Sequence, residues 1–177
     1  MSWKVLGICG SLGRQSSNLK LLETAVSVAP DSIELALFNG LRDLPIFDPD
    51  TVAISPLPQK VQLWKRALAD CDAVLISSPE YGGSVPGGLK NGLDWVFHSG
   101  EFQKKIVVIT ASVVRPEQGR RGLAALRQTL EAADARVMSD STILQDEQYE
   151  ENIAELLDVL VEVLAFYGEG KGRNGIF

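Results

Sequence analysis

The chain predicts a doubly wound α/β domain built on a parallel sheet, and three observations carry that expectation. Short apolar runs alternate with longer segments whose apolar residues recur at helical spacing. The runs are apolar at successive positions, which suits strands covered by helices on both faces. One run, Ala73-Val74-Leu75-Ile76, feeds directly into a loop rich in glycine and proline. The carboxyl ends of such strands are where open α/β sheets bind ligands.

In chain order, Lys4–Cys9 (KVLGIC) reads as the first strand. Ser17–Val28 follows as a helix, with Leu19, Leu22, Ala25 and Val26 at helical spacing. Ile33–Leu37 is a second strand between Pro30-Asp31 and Asn39-Gly40, and Pro45 to Pro58 is a proline-rich connector. Pro58–Ala69 is a helix with Val61, Leu63, Trp64, Ala67 and Leu68 as its apolar set. Asp72–Ser78 is the third strand, Pro86–Phe97 the third helix and Lys105–Ala111 the fourth strand. Gln118–Ala133 is a helix with Leu123, Leu126 and Leu130 on one face. Arg136–Met138 reads as a short fifth strand and Glu150–Tyr167 as the last helix. Right-handed crossovers restrict the topology. Five strands in 177 residues favour the flavodoxin-like order 2-1-3-4-5 over the larger Rossmann order. The expectation is one domain over residues 1–177, with 168–177 as a mobile glycine-rich tail.

Composition narrows the function. The formal net charge of −6 argues against nucleic acid or an anionic membrane surface as partner. No stretch approaches the ~18 consecutive apolar residues of a membrane helix. The run from Val5 to Cys9 is too short for a signal-peptide core, so a cytoplasmic location is expected. Cys9 and Cys71 lie outside any CxxC or Cys/His cluster and read as buried small hydrophobes. His98, the only histidine, has no evident ligand partners, so no metal site is expected.

Two loops carry the candidate chemistry. The first strand runs into Gly10-Ser11-Leu12-Gly13-Arg14-Gln15-Ser16-Ser17-Asn18, just before a helix. Free N–H groups and the helix dipole there favour a phosphate. Ser11, Ser16, Ser17 and Asn18 can donate hydrogen bonds, and Arg14 can offset the charge. Helix capping by Ser16 or Ser17 explains part of the same pattern. The spacing is neither GxGxxG nor GxxxxGK[ST], so a mononucleotide fits better than a dinucleotide fold motif or a transferable triphosphate. The second loop reads Ser77-Ser78-Pro79-Glu80-Tyr81-Gly82-Gly83-Ser84-Val85-Pro86. Pro79 and Pro86 set φ at its ends, while Gly82 and Gly83 permit φ > 0 and a ligand lying against the backbone.

Together these loops resemble the NADPH-dependent FMN reductase family, whose members carry a pattern close to GSxRxxSxN and a later SPEYNGSxPGxLKNxLDW. The second motif reads SPEYGGSVPGGLKNGLDW here, and the likeness spans Val5 to Asp94, including Asp43–Asp50 in the connector. Gly13 stands at the family's arginine position with Arg14 one residue later, and Gly82 stands at its asparagine. Ser112–Gly119 lacks the family's glycine run. The resemblance implies that Ser11, Ser16, Ser17, Asn18 and Arg14 hold an FMN phosphate. It implies that Pro79, Glu80, Tyr81, Gly82 and Gly83 lie along the isoalloxazine ring, with Ser112 near the pyrimidine edge. NADPH or NADH would pass hydride to flavin N5, then leave, and a small acceptor such as a quinone would follow. No side chain is then required as acid or base, and the catalytic set contains none. Arg115, Arg120 and Arg121 are candidates for the 2′-phosphate of NADPH. Trp95 is expected to face away from the core as an interface anchor, and the family implies a homodimer or homotetramer. Two other readings stay open: a flavodoxin-type electron carrier without turnover, and a flavin-free interaction protein.

Overall fold

A computed structural model describes residues 2–52 and 56–173, with side chains described as far as residue 167. The elements run β1 (Trp3–Cys9), α1 (Ser17–Val28), β2 (Ile33–Phe38), a 3-10 turn (Leu41–Asp43), α2 (Pro49–Val52) and α3 (Gln59–Ala69). They continue with β3 (Ala73–Ser77), α4 (Gly87–Val96), β4 (Ile106–Val113), α5 (Arg120–Ala132), β5 (Arg136–Leu144) and α6 (Tyr149–Arg173). The five strands form one sheet in the order β2-β1-β3-β4-β5, and every pair is parallel, as the sequence predicts.

The strands differ by position in the sheet. Every residue of β3 and β4 is buried, which is why their sequences are apolar on both faces. One face carries Leu6, Ile8, Val74, Ile76, Val107 and Ile109 against α3, α4 and α5. The other carries Val5, Ala73, Leu75, Ile106 and Val108 against α1 and α6. At ~25 cal/mol per Å² of apolar area removed from water, these two layers dominate the driving force for folding.

Several elements depart from expectation. β5 is an edge strand and continues to Leu144 rather than stopping at Met138. Its pairing slips at Met138, so that Val107 faces Val137 while Val108 faces Ser139. The run Ser139-Asp140-Ser141-Thr142 is polar because one side of the strand meets water, and this masked it as a strand. α1 buries Asn18, Leu21, Leu22 and Ala25, whereas Val26 is exposed. α3 buries Val61, Trp64 and Leu68 and exposes Leu63. The expected tail is helical through Arg173, and residues 174–177 lie outside the described residues.

The connector from Pro45 is held down by α4, and this corrects the expectation for Trp95. Trp95 is only 5 % exposed; its indole N–H donates to the Pro45 carbonyl at 2.8 Å and its ring meets Phe47 edge-on. One turn earlier on the same helix face, Asn91 donates to the Pro45 carbonyl at 3.0 Å and accepts from the Phe47 N–H at 2.7 Å. Trp95 therefore packs inside its own chain. A buried indole needs a partner for its N–H, and the connector supplies one. Lys90 and Asp94 form an i,i+4 pair at 2.5 Å on the exposed side.

Candidate functional site

β1 and β3 are neighbours, yet the helices that follow them in the chain cover opposite faces of the sheet. Their carboxyl-terminal loops therefore part and leave a crevice. The two loops start in contact. Gly10 N–H donates to the Ser77 carbonyl at 2.8 Å, and a Cβ on Gly10 would lie 2.4 Å from Ser78 Oγ. Any larger residue at position 10 would force the loops apart.

The first loop folds on its own side chains. Ser11 Oγ accepts from Gly13 N–H at 3.2 Å, and Ser16 caps α1 by accepting from Asn18 N–H at 3.2 Å. The Arg42 guanidinium donates to the Leu12 carbonyl from outside the loop. The N–H groups of Arg14, Gln15 and Ser17 have no hydrogen-bond partner among the described residues. They sit at the start of a helix, where the backbone dipole adds to their attraction for an anion.

The second loop closes as a two-residue hairpin. Tyr81 and Ser84 exchange both backbone hydrogen bonds, at 3.1 and 3.0 Å. Between them Gly82 and Gly83 have φ of +58° and +74°, the sign pattern of a type I′ turn. Tyr81 Oη lies 3.4 Å from Ser11 Oγ, joining this turn to the first loop. Glu80 turns the other way. Its Oε2 accepts from the N–H groups of Arg121 and Gly122 at 3.0 and 3.1 Å, capping α5.

Beneath the loops lies a buried polar floor. Asn18 is 3 % exposed, and its Oδ1 accepts from Ser77 Oγ at 2.9 Å and from Ser112 N–H at 3.1 Å. Ser112 Oγ lies 3.2 Å from Tyr149 Oη. Burial pushes the Tyr149 phenol above its ordinary value, and the hydrogen bond to Ser112 opposes that in part. Thr110 Oγ1 is buried on the same side of the sheet and has no partner. Cys9 is half-buried rather than fully buried as expected, and that burial pushes its thiol pKa above the ordinary value.

Two adjoining hollows open above this floor. One of about 610 Å³ is lined by the first loop from Ser11 to Asn18 with Pro79 and Tyr81. The other, about 420 Å³, lies between Glu80 and the loop after β4, against Ser112, Gln118 and Gln145. Ser17 and Pro79 line both, so the two form one groove. The structure thus brings Ser11, Arg14, Ser16, Ser17, Asn18, Pro79, Glu80, Tyr81 and Ser112 to one groove. Gly82 and Gly83 lie outside its lining, on the exposed rim. Asn18 presents less than expected, because its oxygen is already engaged and only its amide nitrogen remains to face the groove.

Sequence reasoning missed Tyr149, Gln118 and Gln145. Gln118 Oε1 accepts from the N–H groups of Val114 and Arg115, each at 3.2 Å, and holds the loop after β4. None of the three sits in a motif; only the fold brings Gln118 and Gln145 to the groove lining and Tyr149 against Ser112 beneath it. His98 is exposed, and no cluster of metal-ligating side chains occurs among the described residues. Among those residues no helix is long and apolar enough to cross a membrane.

An anion-receptive loop and a backbone turn across the switch point of a parallel sheet define a mononucleotide-binding protein. Comparison with known proteins makes this specific. The model of the NADPH-dependent FMN reductase family matches residues 3–150. A quinone reductase of Escherichia coli (strain K12) is 34 % identical over 138 residues, covering 77 % of this chain and 73 % of the relative. An NAD(P)H-dependent FMN reductase of Pseudomonas aeruginosa is 34 % identical over 149 residues, covering 80 % and 76 %. Among solved structures, FerB of Paracoccus denitrificans, a flavoenzyme NAD(P)H:(acceptor) oxidoreductase, superposes with a TM-score of 0.77. It shares 22 % identity and covers 92 % of this chain and 97 % of its own, a likeness of fold.

The chain belongs to the NADPH-dependent FMN reductase family. It is an NAD(P)H-dependent oxidoreductase that uses FMN and serves a small-molecule acceptor. The reading as an electron carrier without turnover finds no support in these relatives.

Proposed function

We propose that the groove holds FMN across both hollows and that the acceptor is a quinone. The single observation that carries the placement is the set of unpartnered N–H groups of Arg14, Gln15 and Ser17, residues that line the first hollow. They fit a phosphate, as do the hydroxyls of Ser11, Ser16 and Ser17 and the guanidinium of Arg14. The groove also suits the size of the group, since sites for such ligands run ~300–1,000 Å³.

In this reading Pro79, Glu80 and Tyr81 border the flavin ring, and the Gly82–Gly83 turn leaves its outer side open. A Cβ on Gly82 would meet nothing within 4 Å, so the turn is shaped by its backbone rather than by crowding. Bound FMN supplies the two-electron relay between NAD(P)H and the acceptor. The chain's part is to bind and orient. The first loop neutralises the phosphate against a net charge of −6. Asn18, Ser77 and Ser112 lock the ends of β3 and β4 so that the loops above them keep their spacing. The quinone reading draws on the name of the Escherichia coli relative and on the open rim, which admits flat molecules of differing outline.

A cytoplasmic location and a homodimer or homotetramer belong to the same proposal. With Trp95 buried, support for the assembly shifts to Ile46, 88 % exposed at the connector beside α4. The test is a titration with FMN followed by NADPH oxidation with and without a quinone. Tight FMN uptake and quinone-dependent turnover are expected. Protein that takes up no FMN would overturn the proposal and favour a flavin-free role.

A further inference from the structure

We propose that Arg121 anchors a phosphate group of the incoming nicotinamide dinucleotide, an assignment that rests on the flavin reading above. A chain of net charge −6 repels a polyanionic donor unless local cations receive it. Arginine suits that task, because its planar fork matches phosphate oxygens.

Most arginines here are already engaged. Of the three expected to meet the donor, Arg120 Nε donates to the Pro116 carbonyl at 3.1 Å. Arg115 lies 3.9 Å from the Glu117 carboxylate. Arg42, Arg66, Arg127 and Arg136 each have a partner too. Among the described side chains, only the guanidinium groups of Arg14 and Arg121 have none. Arg14 lines the first hollow and belongs to the flavin phosphate. Arg121 stands beyond the Tyr81–Ser84 hairpin, with its Cδ 3.9 Å from the place a Cβ would take on Gly83.

The position of Arg121 is built, not incidental. Glu80 accepts from the backbone N–H groups of both Arg121 and Gly122. Gly122 lets Glu80 come that close, since a Cβ there would lie 3.0 Å from Glu80 Cα. Two consequences follow. The stem of Arg121 is fixed beside the rim of the groove while its charged head stays exposed. The carboxylate also occupies two of the donors at the start of α5, the N–H groups of Arg121 and Gly122, and so closes them to an anion. The guanidinium is the cationic group left there, and a dinucleotide that enters over the Gly82–Gly83 rim passes it.

The test measures binding of NADP⁺ and NAD⁺ by calorimetry to the FMN-loaded protein, alongside steady-state kinetics with NADPH and NADH at saturating quinone. The variants are Arg121→Ala, Arg121→Lys, Arg115→Ala and Arg120→Ala. For Arg121→Ala, nucleotide affinity should fall about tenfold or more, with KM raised to match. Its kcat should stay within about twofold, because the contact is uniform binding. Arg121→Lys should recover part of the loss, and Arg115→Ala and Arg120→Ala should resemble the wild type. A loss confined to NADP⁺ and NADPH assigns the 2′-phosphate, and a loss with both donors assigns the pyrophosphate; either supports the proposal. Unchanged affinity and KM for both donors, in a wild type that reduces quinone, overturn the proposal and leave the function standing. Loss of FMN binding in Arg121→Ala also overturns it, by placing Arg121 in the flavin cradle. A wild type that binds and oxidises neither donor overturns the function and this proposal together.

Discussion

The buried Oδ1 of Asn18 accepts the backbone N–H of Ser112 at 3.1 Å, tying the start of α1 to the end of β4. The same oxygen takes the Ser77 hydroxyl at 2.9 Å, so one side chain fastens three elements beneath the groove. Asn18→Ala leaves both donors unpaired in a buried site and should cost ~1–3 kcal/mol, read as a lower urea midpoint. Asn18→Asp keeps both acceptor roles but buries a carboxylate, so it should unfold between wild type and Asn18→Ala or below. Its added negative charge faces the first hollow, so FMN affinity should still fall. Equal FMN affinity in wild type and Asn18→Asp would show that no anion binds there.

The Gly82–Gly83 turn offers a second test. Both residues have positive φ, where a residue with a Cβ pays roughly 1–2 kcal/mol unless its side chain is Asn or Asp. Gly83→Val should therefore weaken FMN binding by distorting the ring loop, and Gly82→Asn should be nearly neutral. The measurement is flavin fluorescence on titration. Unchanged affinity in Gly83→Val would remove the turn from the binding site.

Trp95 yields a prediction opposite to the one its sequence position suggests. Trp95→Ala should destabilise the chain by ~3–5 kcal/mol by removing the ring under the connector. Trp95→Phe keeps much of the packing and should leave the mass in solution unchanged. A drop in mass for Trp95→Phe would restore the indole as an interface residue.

Tyr149 predicts an alkaline limit. Burial raises its pKa in the folded state above the ordinary 10.0, and Ser112 offsets only part of the shift. Between the unfolded and folded values the unfolded chain binds fewer protons, so stability falls as pH rises. The contribution is complete below about pH 10 and is lost as the pH climbs through the raised folded value. In thermal melts from neutral to strongly alkaline pH, wild type should lose stability more steeply than Tyr149→Phe, which lacks the titrating phenol. Identical slopes at every pH would show that Tyr149 does not titrate with folding.

The legible parts were those where local chemistry and tertiary role coincide. β3 and β4 are buried on both faces, so their apolar runs announced them. Ser16 caps α1 and also lines the groove, and the φ > 0 of Gly82 and Gly83 followed from two adjacent glycines. Where the two roles diverge, the reading failed. β5 is polar because it is an edge, and Trp95 looked free because its partner, Pro45, lies 50 residues away. Tyr149 and Gln118 carry no motif at all.

Residue order alone settled the alternation of strand and helix, the order of the sheet and the two loops that meet at its switch point. Each of these depends on contacts between near neighbours or on the one-handed way that strands cross over. Folding in three dimensions decided which polar groups are consumed by the protein and which are left for a ligand. Asn18 lost its oxygen to Ser77 and Ser112, Glu80 gave its carboxylate to α5, and Arg14 and Arg121 kept their charges unpaired. A hydrogen bond is satisfied by whatever comes within reach, and reach across the sheet is not written in any local stretch of chain.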